Sequence, residues 1–451
     1  MIRTPARRAR RAARALGLAI VTLPALAFGQ EAGEPPSARD PLVQAWRQTR
    51  SRLEARGIRF EAFYTLDLLS TVAGGKRRAT GVLGDVDLVL TTELEELVGW
   101  PGARAMFYVL GTHGDRPSRD DVGDLQGVSN IEDVDTWKLY EAWIEQDLGT
   151  RRASLLAGLY DVSSEFDVLP TASLFVHSSP GTGADLGLSG RNGPSAFPVT
   201  SIAARLALEP ADWSYARIVV ADGVPGDPDD PRGTEVHFDD GDGVLVVAEL
   251  GLVDVAEQKE RVTGGRRRKE ENGGEATPAH HARHGKLAAG LWVYTSEFDD
   301  FVRTDAGGEP RTRDGSHGAY LLAEAHVFHE REDPDQGLSM FGRAGVADPR
   351  TAVVDAYLGG GAVYRGALPG RDEDELGLAV AAAHLGSDYR KASSRAGTTL
   401  ESWEVALELS YRFHATPWLS IQPDMQVVFD PGGNADLDDA VVVGARFLIS
   451  L

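Results

Sequence analysis

The sequence predicts an all-β fold, a transmembrane antiparallel β-barrel of about sixteen strands preceded by a short periplasmic helix. Three observations support this prediction. The last fifty or so residues alternate between apolar and polar side chains. No apolar run reaches the ~18 residues that a membrane-spanning helix needs. The first residues have the composition of a secretory signal peptide.

The closing strands show the alternation most clearly. In 418–429 one parity is entirely apolar, and Ser420, Gln422, Asp424 and Gln426 occupy most of the other. This period of two is typical of a strand with one apolar and one wet face. Segments 401–413 and 440–450 repeat the pattern, and three such strands in succession indicate a membrane barrel.

Composition excludes several other classes of protein. The chain has no cysteine, so it can form no disulfide and carry no thiolate chemistry. Its formal charge of -22 argues against nucleic acid as a partner, because phosphate contacts need basic patches. Its 51 glycines suit a chain of many strands and turns.

The N-terminal residues differ from the rest of the chain. Residues 1–29 combine a basic segment of six arginines, a short apolar core and small-residue cleavage sites, and we interpret them as a signal peptide. Its removal would take the charge to about -28. Residues 30–57 then comprise a polar linker and a periplasmic helix, in which Asp40 caps, Pro41 occupies the first turn and Gly57 ends the helix.

The barrel is predicted to occupy 58–451. Each candidate strand is near the length that crosses a bilayer at a tilt. The sixteen candidates are 58–70, 79–91, 104–112, 137–147, 152–160, 200–208, 214–222, 244–253, 286–296, 319–329, 338–346, 357–365, 375–385, 401–413, 418–429 and 440–450.

Connection lengths provide an independent argument. If both barrel ends are periplasmic, odd-numbered connections face outward and should be long, while even-numbered ones should be short. The short connections 148–151, 209–213 and 414–417 fall in even positions, and the long ones 113–136, 161–199, 223–243 and 297–318 fall in odd positions.

Two connections need separate interpretation. Residues 161–199 form the longest outward connection and are more apolar than a solvated loop, so we expect them to fold into the lumen and narrow it. Residues 254–285 are long but in an even position. Their charge and glycine content favour a disordered insertion, and the alternative is a missed pair of strands.

Several stretches in order along the chain resemble the carbohydrate-selective porin family, OprB-like. The early matches lie at the first strand, the first periplasmic turn and the following hairpin. The later ones lie in the third loop, a later turn and the ending. The matching stretches are 53–61, 94–102, 139–148, 156–161, 175–179, 194–198, 359–366, 369–372, 411–426 and 430–433.

The resemblance implies a sixteen-stranded outer-membrane porin of a Gram-negative bacterium that passes mono- or small oligosaccharides by diffusion. Its partners would be small sugars and outer-membrane lipid, and either a monomer or a homotrimer fits. One departure is the last residue. Such barrels commonly end in an aromatic side chain, whereas this chain ends in Leu451 and its nearest aromatic residue is Phe447.

Parity assigns the residues that face the lumen. On the fourth strand both parities contain apolar residues. We place Tyr140, Ala142, Ile144 and Leu148 outside, because the other parity would put carboxylates in lipid at a cost of several kcal/mol. The predicted lumen residues are Arg59, Glu61, Asp67, Asp85, Asp87, Arg104, Tyr108, Glu141, Trp143, Glu145, Tyr160, Arg217, Glu324 and Arg343.

These side chains suit a sugar. Charged groups give directional hydrogen bonds to hydroxyls, and aromatic rings stack on the apolar C–H faces. We expect Arg104, Glu141, Trp143, Glu145 and Tyr160, on adjacent strands, to form a sugar-binding track. The alternative is that lumen charges only solvate the pore and brace it through cross-strand pairs.

Other motifs give weaker support for a metal site or a catalytic site. His280, His281 and His284 have metal-ligand spacing but lie in the polar insertion, where solvated histidines are the simpler interpretation. Ser178 and Ser179 near His177 invite a hydrolase reading, yet no base and orienting group can be placed beside them. We therefore predict no catalytic residues, no metal site, no cofactor and no enzyme activity.

Two rival functions remain open. A general cation-selective porin is favoured by the acidic charge and the inward carboxylates, because a ring of carboxylates attracts cations. A secreted soluble β-protein is the alternative from another class. It would bury both faces of its strands.

Overall fold

The structure is a computed structural model that describes residues 41–149, 152–254, 285–331, 333 and 335–450. The predicted signal peptide lies outside the described residues. So does all but the ends of the predicted insertion 254–285.

The helices are short. Helix α1 (Pro41–Glu54) lies within the helix predicted for 40–57, and the Gly57 N–H donates to the Glu54 carbonyl at 3.0 Å. The others are α2 (Leu94–Val98), α3 (Ser178–Gly181), α4 (Ala184–Gly187) and α5 (Ser387–Arg395). Among the described residues, none of the helices is both long enough and apolar enough to span a bilayer.

Sixteen antiparallel strands form a closed barrel in which every strand pairs with its neighbours in sequence and β1 pairs with β16. All sixteen predicted strands are confirmed. They are β1 (Ile58–Gly75), β2 (Thr80–Glu93), β3 (Ala103–Gly114), β4 (Thr136–Asp147), β5 (Ala153–Tyr160), β6 (Ser201–Ala211), β7 (Ser214–Asp222), β8 (Val244–Val253), β9 (Lys286–Thr304), β10 (Pro310–His329), β11 (Gly337–Ala347), β12 (Val354–Arg365), β13 (Glu375–Leu385), β14 (Trp403–Thr416), β15 (Leu419–Phe429) and β16 (Asp438–Ser450).

Direct pairing of β8 with β9 decides one open question about the insertion. β8 and β9 are hydrogen-bonded neighbours, so among the described residues no further strand lies between them in the wall. The predicted disorder of the insertion stays a prediction, since 255–284 lie outside the described residues.

The predicted long loop 297–318 is wrong, because β9 and β10 continue as a hairpin joined by only 305–309. Alternation persists beyond 296, with Phe298 and Asp300 buried on one face. The many charged residues of this stretch suggested a loop. The hairpin instead carries them as a strand and packs on α5, where the Phe301 and Tyr389 rings lie 5.4 Å apart.

The outer face of the barrel is apolar. Leu250, Leu321 and Leu378 are each more than half exposed, although they are large hydrophobic residues in the middle of strands. Their direct partners on neighbouring strands share this face. A continuous apolar band around a closed barrel is the surface that meets lipid.

A β-bulge on β4 changes one predicted orientation. The pairing with β3 shifts between Tyr108 and Val109, so Tyr140 and Glu141 both turn inward. Tyr140 is buried, and its hydroxyl donates to the Asp161 carboxylate at 2.7 Å. The prediction that Tyr140 faces lipid is therefore wrong, because strict parity cannot anticipate an extra residue in one strand.

Glycines on the inner wall make room for aromatic rings on the next strand. A Cβ added to Gly290 would lie 2.1 Å from Cζ of Tyr320, which is paired directly opposite. The same ring extends to Glu249, to which its hydroxyl donates at 2.7 Å. The glycine thus fixes the position of the tyrosine.

We expect Gly290→Ala to destabilise the barrel by about 1–3 kcal/mol, because the tyrosine ring must move out of a packed wall. Gly342→Ala is the matched control, since the nearest atom to its new Cβ is 3.9 Å away. Urea unfolding in detergent, followed by heat-modifiable gel mobility, measures both variants. Equal midpoints for the two variants would contradict the prediction.

Candidate functional site in the barrel lumen

The strand register places all fourteen predicted lumen residues on one face of the wall. Directly paired residues share a face, and the pairings can be followed around the closed barrel from Asp67 opposite Arg446 to Arg343 opposite Gly359. This face carries the charged and aromatic side chains, while the opposite face is the apolar band. The wet face of the strands is therefore the inside of the barrel.

The β5–β6 loop, 161–200, fills part of this interior. Its residues Phe166, Leu169, Leu174 and Phe175 are buried in one cluster with wall residues of β9, β10 and β11. The rings of Phe175 and Phe341 lie 5.8 Å apart. The apolar side chains that seemed excessive for a solvated loop are thus covered by the barrel wall, as expected.

Wall carboxylates hold this loop by its backbone. Glu249 accepts the N–H of Asp167 at 2.9 Å, and Glu324 accepts that of Thr171 at 2.9 Å. Further along the loop, the N–H groups of Val176 and His177 donate to the two oxygens of Glu408 at 2.6 and 3.2 Å. Hydrogen bonds to a charged acceptor are worth about twice neutral ones, so each contact is a strong anchor.

An arginine completes the attachment. Arg343 donates to the carbonyl of Asp167 at 2.7 Å and lies 3.3 Å from its carboxylate. Both side chains are almost fully buried. Glu324 and Arg343, predicted as sugar contacts, are therefore engaged in holding the loop.

The β3–β4 loop, 115–135, also folds into the lumen, which the sequence analysis did not predict. The N–H groups of Leu125 and Gln126 donate to Glu404 on β14 at 2.9 and 3.0 Å. The amide of Gln426 donates to the carbonyl of Val128 at 2.9 Å. Two loops, rather than one, narrow the barrel.

The predicted track is assembled on β3–β5 but differs in its details. Trp143 donates from Nε1 to Glu141 at 2.7 Å, and Arg104 pairs with Glu145. Trp143 is half-buried and half of the Arg104 side chain is exposed. Tyr160 instead lies almost fully buried and donates to Glu165 of the β5–β6 loop at 2.7 Å.

Arg205 is a lumen residue that the sequence analysis missed. Its guanidinium pairs with Glu145 and with Glu165, each at 2.7 Å, and joins the wall to the loop. The signal was present, because 201–207 alternate between inward Ser201, Ala203, Arg205 and outward aliphatic residues.

The remaining predicted residues occupy separate places on the wall. Arg217 lies 4.2 Å above the ring of Tyr215 and donates to the carbonyl of Glu165 at 2.9 Å. Tyr108 on β3 donates a hydrogen bond to Asp87 on β2. Asp67 on β1 pairs with Arg446 at 2.7 Å. The other predicted residues on these first two strands are Arg59, Glu61 and Asp85.

A polar crevice lies beside Ser173 of the β5–β6 loop. It has a volume of about 130 Å³ and is lined mainly by hydroxyl, amide and guanidinium groups: Thr65, Ser173, Arg412, Ser420, Gln422, Arg446 and Leu448. Ser173 belongs to the β5–β6 loop and is exposed, while the amide of Gln422 donates to the carbonyl of Leu174 at 2.6 Å.

His177 is buried in the β5–β6 loop. Burial lowers the pKa of its imidazole to about 3, so the ring is neutral. Its Nδ1 accepts the backbone N–H of Ser179 at 3.3 Å, and the Ser178 hydroxyl donates to the carbonyl of Ser129 at 3.3 Å. The Ser178 hydroxyl is thus bonded to a backbone carbonyl rather than to this ring.

A closed barrel with an apolar outer band and a charged lumen narrowed by inward loops defines an outer-membrane porin. The model of the carbohydrate-selective porin, OprB family, matches residues 77–451. The chain therefore belongs to the carbohydrate-selective porin family and is a sugar-diffusing porin of the Gram-negative outer membrane.

Individual relatives agree with this family. The chain is 26% identical over 477 aligned residues to Porin B from Pseudomonas aeruginosa, covering 98% of both chains. It resembles the high-pH structure of Pseudomonas putida OprB with a TM-score of 0.75, at 22% identity, covering 90% of this chain and 97% of that one. For the low-pH structure of that protein the TM-score is 0.55, at 18% identity, with 90% and 96% coverage.

Replacing Glu408 by alanine should loosen the β5–β6 loop, because the N–H groups of Val176 and His177 lose their acceptors, at a cost of about 0.5–1.5 kcal/mol for each hydrogen bond. We expect a higher single-channel conductance with more current noise in planar bilayers. Glu61→Ala is the control, since it removes an inward carboxylate that accepts no loop N–H among the described contacts. Identical traces for the two variants would argue against the anchoring role.

A buried carboxyl in the loop should make its stability depend on pH. Burial, and then the charge of Asp167, raise the pKa of Asp185 in α4 to about 7. An unfolded Asp titrates near 3.9, so its contribution is fully present below that pH and is lost as the pH rises through about 7.

We therefore expect Asp185→Asn to gain stability relative to the unsubstituted protein as the pH is raised from 5 to 8. Urea midpoints across this range, with the exposed Asp436→Asn as control, provide the measurement. Parallel pH profiles for Asp185→Asn and the unsubstituted protein would exclude the effect.

Proposed function

We propose that small sugars cross the lumen in contact with two polar wall regions at the two ends of loop segment 165–173. One region comprises Arg104, Glu141, Trp143 and Arg217 on β3, β4 and β7. The other is the crevice around Arg412. The observation that supports this proposal is that the loop edge meets both regions, through Glu165 at one end and Ser173 at the other.

The chemistry of both regions suits a polyol. Arginines and carboxylates offer directed donors and acceptors to hydroxyl groups, and the half-buried indole of Trp143 offers a face to the C–H side of a sugar ring. Tyr160 contributes indirectly, because its hydroxyl positions Glu165. Passage by such contacts is diffusion along a channel and needs no catalytic group.

A general cation-selective porin is less well supported. That reading depends on free inward carboxylates, whereas Glu249, Glu324, Glu404 and Glu408 are buried and accept loop N–H groups. The exposed part of the lumen includes the guanidinium of Arg104, so the electrostatic attraction of cations to the lumen is weaker than the acidic composition suggests.

Glucose and maltose should each block the ion current of the porin in planar bilayers, and Trp143→Ala should weaken that block several-fold. The expected loss of binding free energy is about 0.5–1.5 kcal/mol of ring stacking, which corresponds to a block that is roughly two- to tenfold weaker.

Trp137→Ala serves as the matched control, because this tryptophan lies at the end of β4 with its side chain exposed on the outer face. Unchanged block in Trp143→Ala would overturn the role of the β3–β7 region. High cation selectivity in a salt gradient with no sugar block would favour the rival function.

A further inference from the structure

The β7–β8 loop, 223–243, contains a group of metal-ligating side chains that the sugar pathway does not use. Asp227, Glu235 and His237 each offer one donor atom, and these atoms all lie within 4.8 Å of one another. Nε2 of His237 is 2.8 Å from the Glu235 carboxylate. The loop emerges at the same end of the barrel as the β3–β4 and β5–β6 loops.

The backbone beside these donors is fixed to the barrel. The N–H of Gly233 donates to the hydroxyl of Thr136 at 2.8 Å, and the hydroxyl of Thr234 donates to the carbonyl of Leu139 at 3.0 Å. Both acceptors belong to β4. Glu235 therefore follows a segment that is held in place rather than a free loop tip.

An ion pair between His237 and Glu235 accounts for their contact. Asp227 lies close to both, while its carboxylate also accepts the backbone N–H of Asp229 at 2.8 Å. Two carboxylates that face one another repel unless a cation or a proton lies between them. The same loop contains further carboxylates at Asp229, Asp230, Asp239 and Asp240, and one guanidinium at Arg232.

We propose that Asp227, Glu235 and His237 bind a divalent transition-metal ion, with Zn²⁺ as the best match. Imidazole combined with carboxylates suits zinc and related ions, whereas calcium and magnesium prefer oxygen ligands only. Zinc takes nitrogen and oxygen ligands at about 2.0–2.2 Å, so neighbouring donors would need to approach to about 3.4 Å. The donor atoms at present lie within 4.8 Å of one another, so they would have to move closer together, and water would complete the coordination.

The bound ion would tie together two parts of the loop that are eight or more residues apart, Asp227 and the 235–237 segment. His280, His281 and His284, considered above for a metal, are not among these ligands.

The test is calorimetric titration of the detergent-solubilised full chain with Zn²⁺ alone, after treatment with chelator. A background in which His280, His281 and His284 are all replaced by alanine removes the competing histidines. In that background we expect one ion per chain. His237→Ala and Asp227→Asn should each weaken binding by at least about tenfold.

Asp240→Asn is the matched control, since it removes an exposed carboxylate of the same loop from outside the trio. Heat-modifiable gel mobility verifies that each variant is folded. His237→Ala and Asp227→Asn test the proposed metal site independently of each other. Zinc binding of unchanged affinity in both His237→Ala and Asp227→Asn would overturn the site. Absence of zinc binding in the variant that lacks His280, His281 and His284 would also overturn the site.

Discussion

The interior of this porin depends on one kind of interaction, the hydrogen bond from a loop N–H to a carboxylate on the barrel wall. A buried carboxylate is costly unless it is hydrogen-bonded, and so is a buried backbone N–H. Glu249, Glu404 and Glu408 meet both requirements together, because each accepts N–H groups from a loop that would otherwise lack partners inside the barrel. The path of both inward loops follows from these pairings.

The same interaction determines which charges the lumen can offer to a solute. A chain of formal charge -22 would be expected to present an acidic pore. Several of its inward carboxylates are instead occupied by loop backbone or by arginine, as at Asp67 with Arg446 and at Glu145 with Arg205. The negative charge that the lumen exposes to a solute is therefore smaller than the composition alone suggests.

Much of the fold was predictable because strand periodicity is local. Each strand records in its own residues which side meets lipid and which meets the lumen, so all sixteen strands and fourteen inward residues could be assigned. The errors occurred where a local pattern is interrupted or extended. The bulge at Tyr140 turned one residue inward, and the charged hairpin of β9 and β10 continued as strands beyond the expected boundary.

The loop anchors were not predictable for a different reason. Glu404 and Glu408 bind residues more than 230 positions away, and no pattern near either residue records that partner. The alternation of polar and apolar residues on β14 predicts that Glu404 and Glu408 face inward, but it does not predict their partners. The apolar residues of the β5–β6 loop, such as Phe166 and Leu174, did indicate that the loop must be covered. Composition can therefore predict that a loop enters a barrel. The wall carboxylates that fix the position of the loop can be identified only from the closed barrel, because they are far from the loop in sequence.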